Sequence, residues 1–298
     1  RRPADRSPAP RGTTAMIAEF LASWPLFAGA YLTGMAVAVV LALVGVLVVA
    51  RDQIFLGAAV AQATMFGIAL AIRFEESVLL APLLVYGAGF AHTVVGGVTA
   101  IAGALITSAS GRGRESAEAL TGWVYLAGAS IAVLLVANTA HGLAEVQGLL
   151  ASTIIGADTA DAVTLAVIAM VTIGVVALQR DELLLFVTDP EMARAVGLGV
   201  ARWNRLLAIW LGVTLAMAIH VAGTIYAFGC LVLPGLVARN LCRTVRGMLV
   251  AAPVIALASV VTAFVVANHY DWPPGQAAVA LLAVELAATW AWRTATGR

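Results

Sequence analysis

Three ionisable side chains sit inside otherwise uncharged runs of this sequence: His92, His220 and Glu285. A carboxylate near the middle of a membrane span is costly unless it is paired, neutral or facing water. Glu285 therefore reads either as a pathway group or as a protonated, hydrogen-bonded structural acid. His92 belongs to a seam of small or polar residues, Gly89, His92, Gly96, Thr99 and Gly103, spaced three and four apart. That spacing lines one helix face, which suits a cargo path or close helix packing with His92 bonded across the contact. His220 lies near the break in a long apolar run and could face an outer vestibule. Acting together, Glu285 and His92 could relay a proton in an ion-coupled secondary transporter.

A second constellation is of a different kind. Arg180–Asn204 is the one long charged passage in the chain. Within it Asp189 can cap free backbone N–H groups, Pro190 is tolerated in a first helical turn, and Glu191 sits well against the positive helix end. Arg194 follows one turn later, and Gly197 and Gly199 supply the stop. A short capped helix between two spans is what a membrane subunit would insert into a soluble motor; the plainer reading is an ordinary loop. The sequence contains no HExxH, GxSxG or GxxxxGK[ST] pattern, so it carries neither those hydrolytic sites nor its own ATP-binding loop. Cys230 and Cys242 have no metal-ligand or redox spacing and read as inert thiols.

The elements that must position these groups follow from composition. The chain is 62% hydrophobic and 11% charged, with a mean hydropathy of +0.98, far from any soluble domain. A spanning helix needs about 20 apolar residues. Spans are expected at 28–50, 54–72, 77–111, 119–138, 162–179, 247–268 and 276–292. Residues 206–238 are too long for one crossing, since at 1.5 Å per residue they would reach about 50 Å; two segments joined near Gly223–Gly229 are expected. The sum is an all-α polytopic membrane protein of about nine helices. Residues 16–27, with Glu19 and Pro25, are expected to lie along the interface. Residues 1–15 read as a disordered tail without a cleavable leader, and His141–Asp161 as a re-entrant or interfacial connection. Glu145, Asp158 and Asp161 read as outer acids that could dock a binding protein.

All seventeen basic residues are arginine, scattered between spans, which excludes a nucleic-acid footprint. If 180–204 is cytoplasmic, the turns holding Arg51, Arg112 and Arg114, Arg239 to Arg246, and Arg293 are cytoplasmic too, as the positive-inside rule requires.

From Arg180 onward the segments TDPEMARAVGLGV, VAGTIYAFGCLVLPGLVARNL and DWPPGQ resemble the permease subunit of ABC-type zinc, manganese and iron uptake systems. The first half agrees more loosely, through Arg51 and LGAAVAQATMFGIALA. The resemblance implies a fold like the vitamin-B12-type importer permease in a bacterial inner membrane. It also implies a homodimer, a cytoplasmic ABC ATPase that uses ATP and magnesium, and an external substrate-binding protein. Asp189, Pro190, Glu191, Arg194 and Gly197 would form the ATPase-coupling element of a permease domain over 16–298. One departure stands out. The family's second span usually reads Gly-Asp-Ala-Leu-Ser-His, and its acid and imidazole are thought to meet metal; here those positions are Ala58 and Gln62. The two still share a helix face, but an amide is a poor ligand for zinc. The cargo implied is a divalent metal ion or a metal complex.

Overall fold

A computed structural model describes residues 13–75, 80–108, 116–137 and 154–296. Most of the expected tail, Arg112, Arg114, Glu145 and residues 141–153 of the expected re-entrant connection lie outside these residues. The chain is built of α1 (Thr13–Ala50), α2 (Ile54–Arg73), α3 (Ala81–Leu84), α4 (Ala88–Ser108), α5 (Ala117–Val136), a 3-10 turn (Ile154–Gly156), α6 (Thr159–Leu178), α7 (Arg180–Thr188), α8 (Pro190–Ala195), α9 (Val200–Ala222), α10 (Thr224–Leu241), α11 (Val245–Tyr270) and α12 (Pro274–Thr296). Among the described residues nine helices are long and apolar enough to cross a membrane.

Two packed groups share one core. In the first, α1 packs on α11, α10 and α6; in the second, α2 packs on α4, α5 and α9. Small residues set the closest crossings. A Cβ on Gly45 of α1 would lie 1.7 Å from the Leu231 carbonyl oxygen of α10, and one on Gly67 of α2 would lie 2.7 Å from the Val95 carbonyl oxygen of α4. Only glycine lets these backbones meet. The α9–α10 junction is pinned by Tyr226, whose buried hydroxyl donates to the Gly34 carbonyl at 2.8 Å.

Two expectations are corrected. The separate interfacial segment at 16–27 does not exist, because α1 runs unbroken from Thr13 through Pro25. Its extension is held by an aromatic group: Tyr31 stacks near Phe20 at 4.7 Å and Phe264 of α11 at 5.6 Å, and its hydroxyl donates to Asn268. Those contacts outweigh the single backbone hydrogen bond that proline forfeits. The third span is not one piece: α3 and α4 are separated by Gly87, whose φ of +102° turns the chain in a region that favours glycine. The two segments expected over 206–238 are present, joined at Gly223 (φ +81°), while Gly229 is helical and packs on Val279. Asp158 and Asp161, read as outer acids, also form an exposed capping box at the start of α6, each carboxylate accepting the other's backbone N–H at 2.8 and 3.2 Å.

Candidate coupling surface and transport pathway

α7 and α8 meet at Asp189, which ends one helix and caps the next: its Oδ1 accepts the Met192 N–H at 2.9 Å. Pro190 occupies the first turn of α8. At the far end Leu198 N–H donates to the Ala193 carbonyl and Gly197 N–H to the Arg194 carbonyl, the paired closure of a Schellman motif with Gly197 at φ +87°. The result is a rigid six-residue knob. Ala193 faces inward and is fully buried, while Glu191, Met192, Arg194, Ala195 and Val196 face outward.

The knob is braced from behind by a residue that motif reading did not single out for this task. Phe186 of α7, fully buried, lies 6.1 Å from the Trp203 ring of α9. The Arg51 guanidinium stands 4.4 Å over the Phe186 ring, and Arg51 Nη1 donates to Asn204 Oδ1 at 2.6 Å. Burial pushes the Arg51 pKa down from its ordinary value, a value so high that the group stays charged. Arg51 thus joins the α1–α2 turn to α7 and α9. Next to it Asp52 accepts Arg239 Nη1 at 2.6 Å, and Arg246 reaches Asp181 at 3.1 Å. Three of the polar segments expected on one side of the membrane, at 51–52, 180–204 and 239–246, are therefore in contact at one end of the bundle. A cavity of about 660 Å³ opens there, its polar groups Arg51, Asp52, Glu118, Asn204 and Arg194 of α8 set beside apolar Phe55, Leu56 and Leu207.

The pathway candidates fall into three places. Ala58 and Gln62 lie half-buried on α2, one turn apart. Beside them α5 approaches so closely that a Cβ on Gly128 would come 2.9 Å from the Gln62 carbonyl oxygen. His92 is buried on α4, where its seam does pack: a Cβ on Gly96 would meet Ile68 and Thr64 of α2, and one on Gly103 would meet Ala63. His220 of α9 faces the start of that seam, its ring 3.4 Å from a Cβ on Gly89. No pattern in the sequence linked the two histidines, since 127 intervening residues separate them. Glu285 stands apart on α12, where Ser259 of α11 lies 2.8 and 2.9 Å from its two carboxylate oxygens. α4 packs on α2, α9 and α5, whereas α12 packs on α10 and α11. The expected relay between Glu285 and His92 therefore has no geometry within one protomer. Among the described residues no group of three or more His, Cys, Asp or Glu side chains is placed to hold a metal ion.

Comparison with known proteins adds four findings. A chelated iron transport system membrane protein of Yersinia pestis is 31% identical over 117 residues, 39% of each chain. A protein of Thermotoga maritima, named as a probable metal transport system membrane protein, is 24% identical over 83% of this chain and 82% of its own. The solved structure of PsaBC from Streptococcus pneumoniae in complex with Fab superposes with a TM-score of 0.76 at 18% identity, over 92% of this chain and 95% of that one. Residues 23–291 match the model of the ABC 3 transport family.

Proposed function

This chain belongs to the ABC 3 transport family, and from that membership we propose that it is the membrane-spanning permease of a metal importer in a bacterial inner membrane. A cytoplasmic ATPase that consumes ATP and magnesium supplies the energy. An external binding protein delivers cargo, and a second copy of the permease completes the pathway. The observation that carries this reading is α8: a knob capped at both ends, exposed on its outer face and braced by Phe186 and Arg51. A motor that grips Glu191, Met192, Arg194 and Val196 displaces α7 with α8. The guanidinium over Phe186 passes that displacement to the α1–α2 turn, and so to the helix bearing Ala58 and Gln62.

The test is uptake of radiolabelled metal by cells carrying Glu191→Arg or Ala195→Trp. Both variants are expected to reach the membrane at normal abundance and to lose transport at least tenfold. Normal uptake with unchanged ATPase binding removes this role from α8.

The cargo is metal, crossing with few protein ligands or inside a chelate that satisfies it. Gln62 supports this, because its amide both donates and accepts hydrogen bonds but is a weak metal ligand. In equilibrium dialysis of zinc and manganese the purified chain is expected to bind weakly, and the Ala58→Asp, Gln62→His double variant more tightly. Tight binding by the unaltered chain that survives loss of His92 and Glu285 would overturn this account of the cargo.

A further inference from the structure

At the arginine-rich end, α6 leans on α1 and barely touches α9. Between them lies a groove of about 250 Å³, lined by Leu47 of α1, Val176 of α6, Leu183 of α7, and Trp203, Leu206 and Trp210 of α9. Its walls are largely apolar, and two of the polar side chains that border it are engaged with each other. The Trp210 indole N–H donates to Thr172 Oγ1 at 3.0 Å, and the Thr172 hydroxyl donates to the Ile168 carbonyl at 2.7 Å. An enclosed apolar cavity of roughly 150 Å³ already stays dry and takes hydrocarbon. This groove is larger, and it opens outward past the exposed side chains of Val175 and Leu206.

The charges at its mouth say which hydrocarbon. Arg202 lies one turn before Leu206 on the same face of α9, and Arg205 directly precedes Leu206. Both are exposed, with α9 beginning at Val200, so the positive end of that helix sits at the same level. Across the groove Arg180 follows Gln179, a lining residue. The nearby acids are Asp181, bridged to both Arg180 and Arg246, and Glu182. Arg202 and Arg205 have no acidic partner among the described residues, and the Arg205 Nε donates to the Ala201 carbonyl at 3.3 Å. Indoles at the membrane boundary and arginines just beyond it form the ordinary setting for an anionic headgroup.

We propose that this groove is a binding site for one anionic phospholipid, with an acyl chain between α6 and α9 and the phosphate held by Arg202 and Arg205. The occupied groove packs against Leu183 and Trp203, the residues beneath Phe186, so lipid stiffens the support of α8.

The experiment uses the full chain in detergent, with phosphatidylglycerol, phosphatidylcholine or inorganic phosphate added at equal concentration. Thermal unfolding and native mass spectrometry are the readouts. Phosphatidylglycerol is expected to raise the midpoint by several degrees more than phosphatidylcholine and to remain bound at one per protomer. Arg202→Gln with Arg205→Gln is expected to erase that preference; both sites are exposed, so this variant folds. Val176→Trp is expected to fill the groove and expel the retained lipid. Equal response to the two lipids, a preference that survives the arginine pair, or a full shift from inorganic phosphate alone would overturn the proposal. So would disulfide linkage between Val175→Cys copies, which would put a second protomer in the groove.

Discussion

α1 and α6 are both long apolar spans, but 78% of the α1 window is buried in the protomer and only 17% of the α6 window. The difference lies in their glycines rather than in their oiliness. Gly45 of α1 sits against the backbone of Leu231, and a Cβ on Gly34 would collide with the Phe264 ring at 2.6 Å. Gly174 of α6 has nothing within 4 Å of where its Cβ would be. In hydrocarbon, exposed leucine costs nothing, so helices sort by how closely their backbones can approach. α1 is a packed axis. α6 presents an apolar flank, with Val163, Val167 and Met170 exposed, to lipid or to a second copy.

The most damaging break of that contrast is Gly45→Leu. Backbone stands where its side chain must go, so the cost is expected at or above ~3 kcal/mol, the upper end of overpacking. The measured result should be loss of monodisperse protein in detergent, whereas Gly174→Leu should be tolerated. Equal tolerance at both positions would mean that the α1–α10 crossing is looser than described.

Arg51 comes next, because it ties the packed group of α2 to the coupling stretch. Arg51→Ala leaves Asn204 and the Phe186 ring without their shared partner. Uptake is expected to fall at least tenfold, with a stability loss of about 1–3 kcal/mol. Arg51→Lys keeps the charge and loses the planar face, so it should fall between the two. Uptake and thermal midpoint measured on the same preparations separate coupling from folding. If uptake is intact in Arg51→Ala, this brace is ornamental.

Glu285 sharpens the comparison at the other rim helix, α12. With Ser259 as its hydrogen-bond partner, Glu285→Gln should keep the contact and transport within about twofold. Glu285→Leu should lower stability by about 1 kcal/mol. Transport lost in both variants while stability holds would make Glu285 a pathway group. The smallest effect is expected on α6. Val167→Ala and Met170→Ala, at 48% and 66% exposed, should each cost less than about 0.5 kcal/mol in a monomer. A larger loss that tracks the dimer fraction would place this flank in the homodimer contact.

How much of this could be read beforehand depends on the range of the interactions. The spans, the capped knob at Asp189–Gly197 and the need for a break near Gly223 rest on local physics: run length, helix caps and glycine stops act within a few residues, so sequence alone determined them. The absence of an acid and an imidazole at Ala58 and Gln62 is equally a matter of residue type. Tertiary structure alone decided what touches what. Tyr31 and Phe264 hold α1 helical through Pro25, overriding a local signal for a break. Arg51 finds Phe186 and Asn204, and His220 finds the seam of His92, across separations of more than 100 residues that no period encodes. Glu285 and His92 share a chemistry and were natural partners on paper, but their helices pack on different neighbours. In a bundle where nearly every helix is apolar all round, hydropathy carries no information about neighbours. Only the fit of small residues against backbone does, and that fit belongs to pairs of helices, not to either sequence segment.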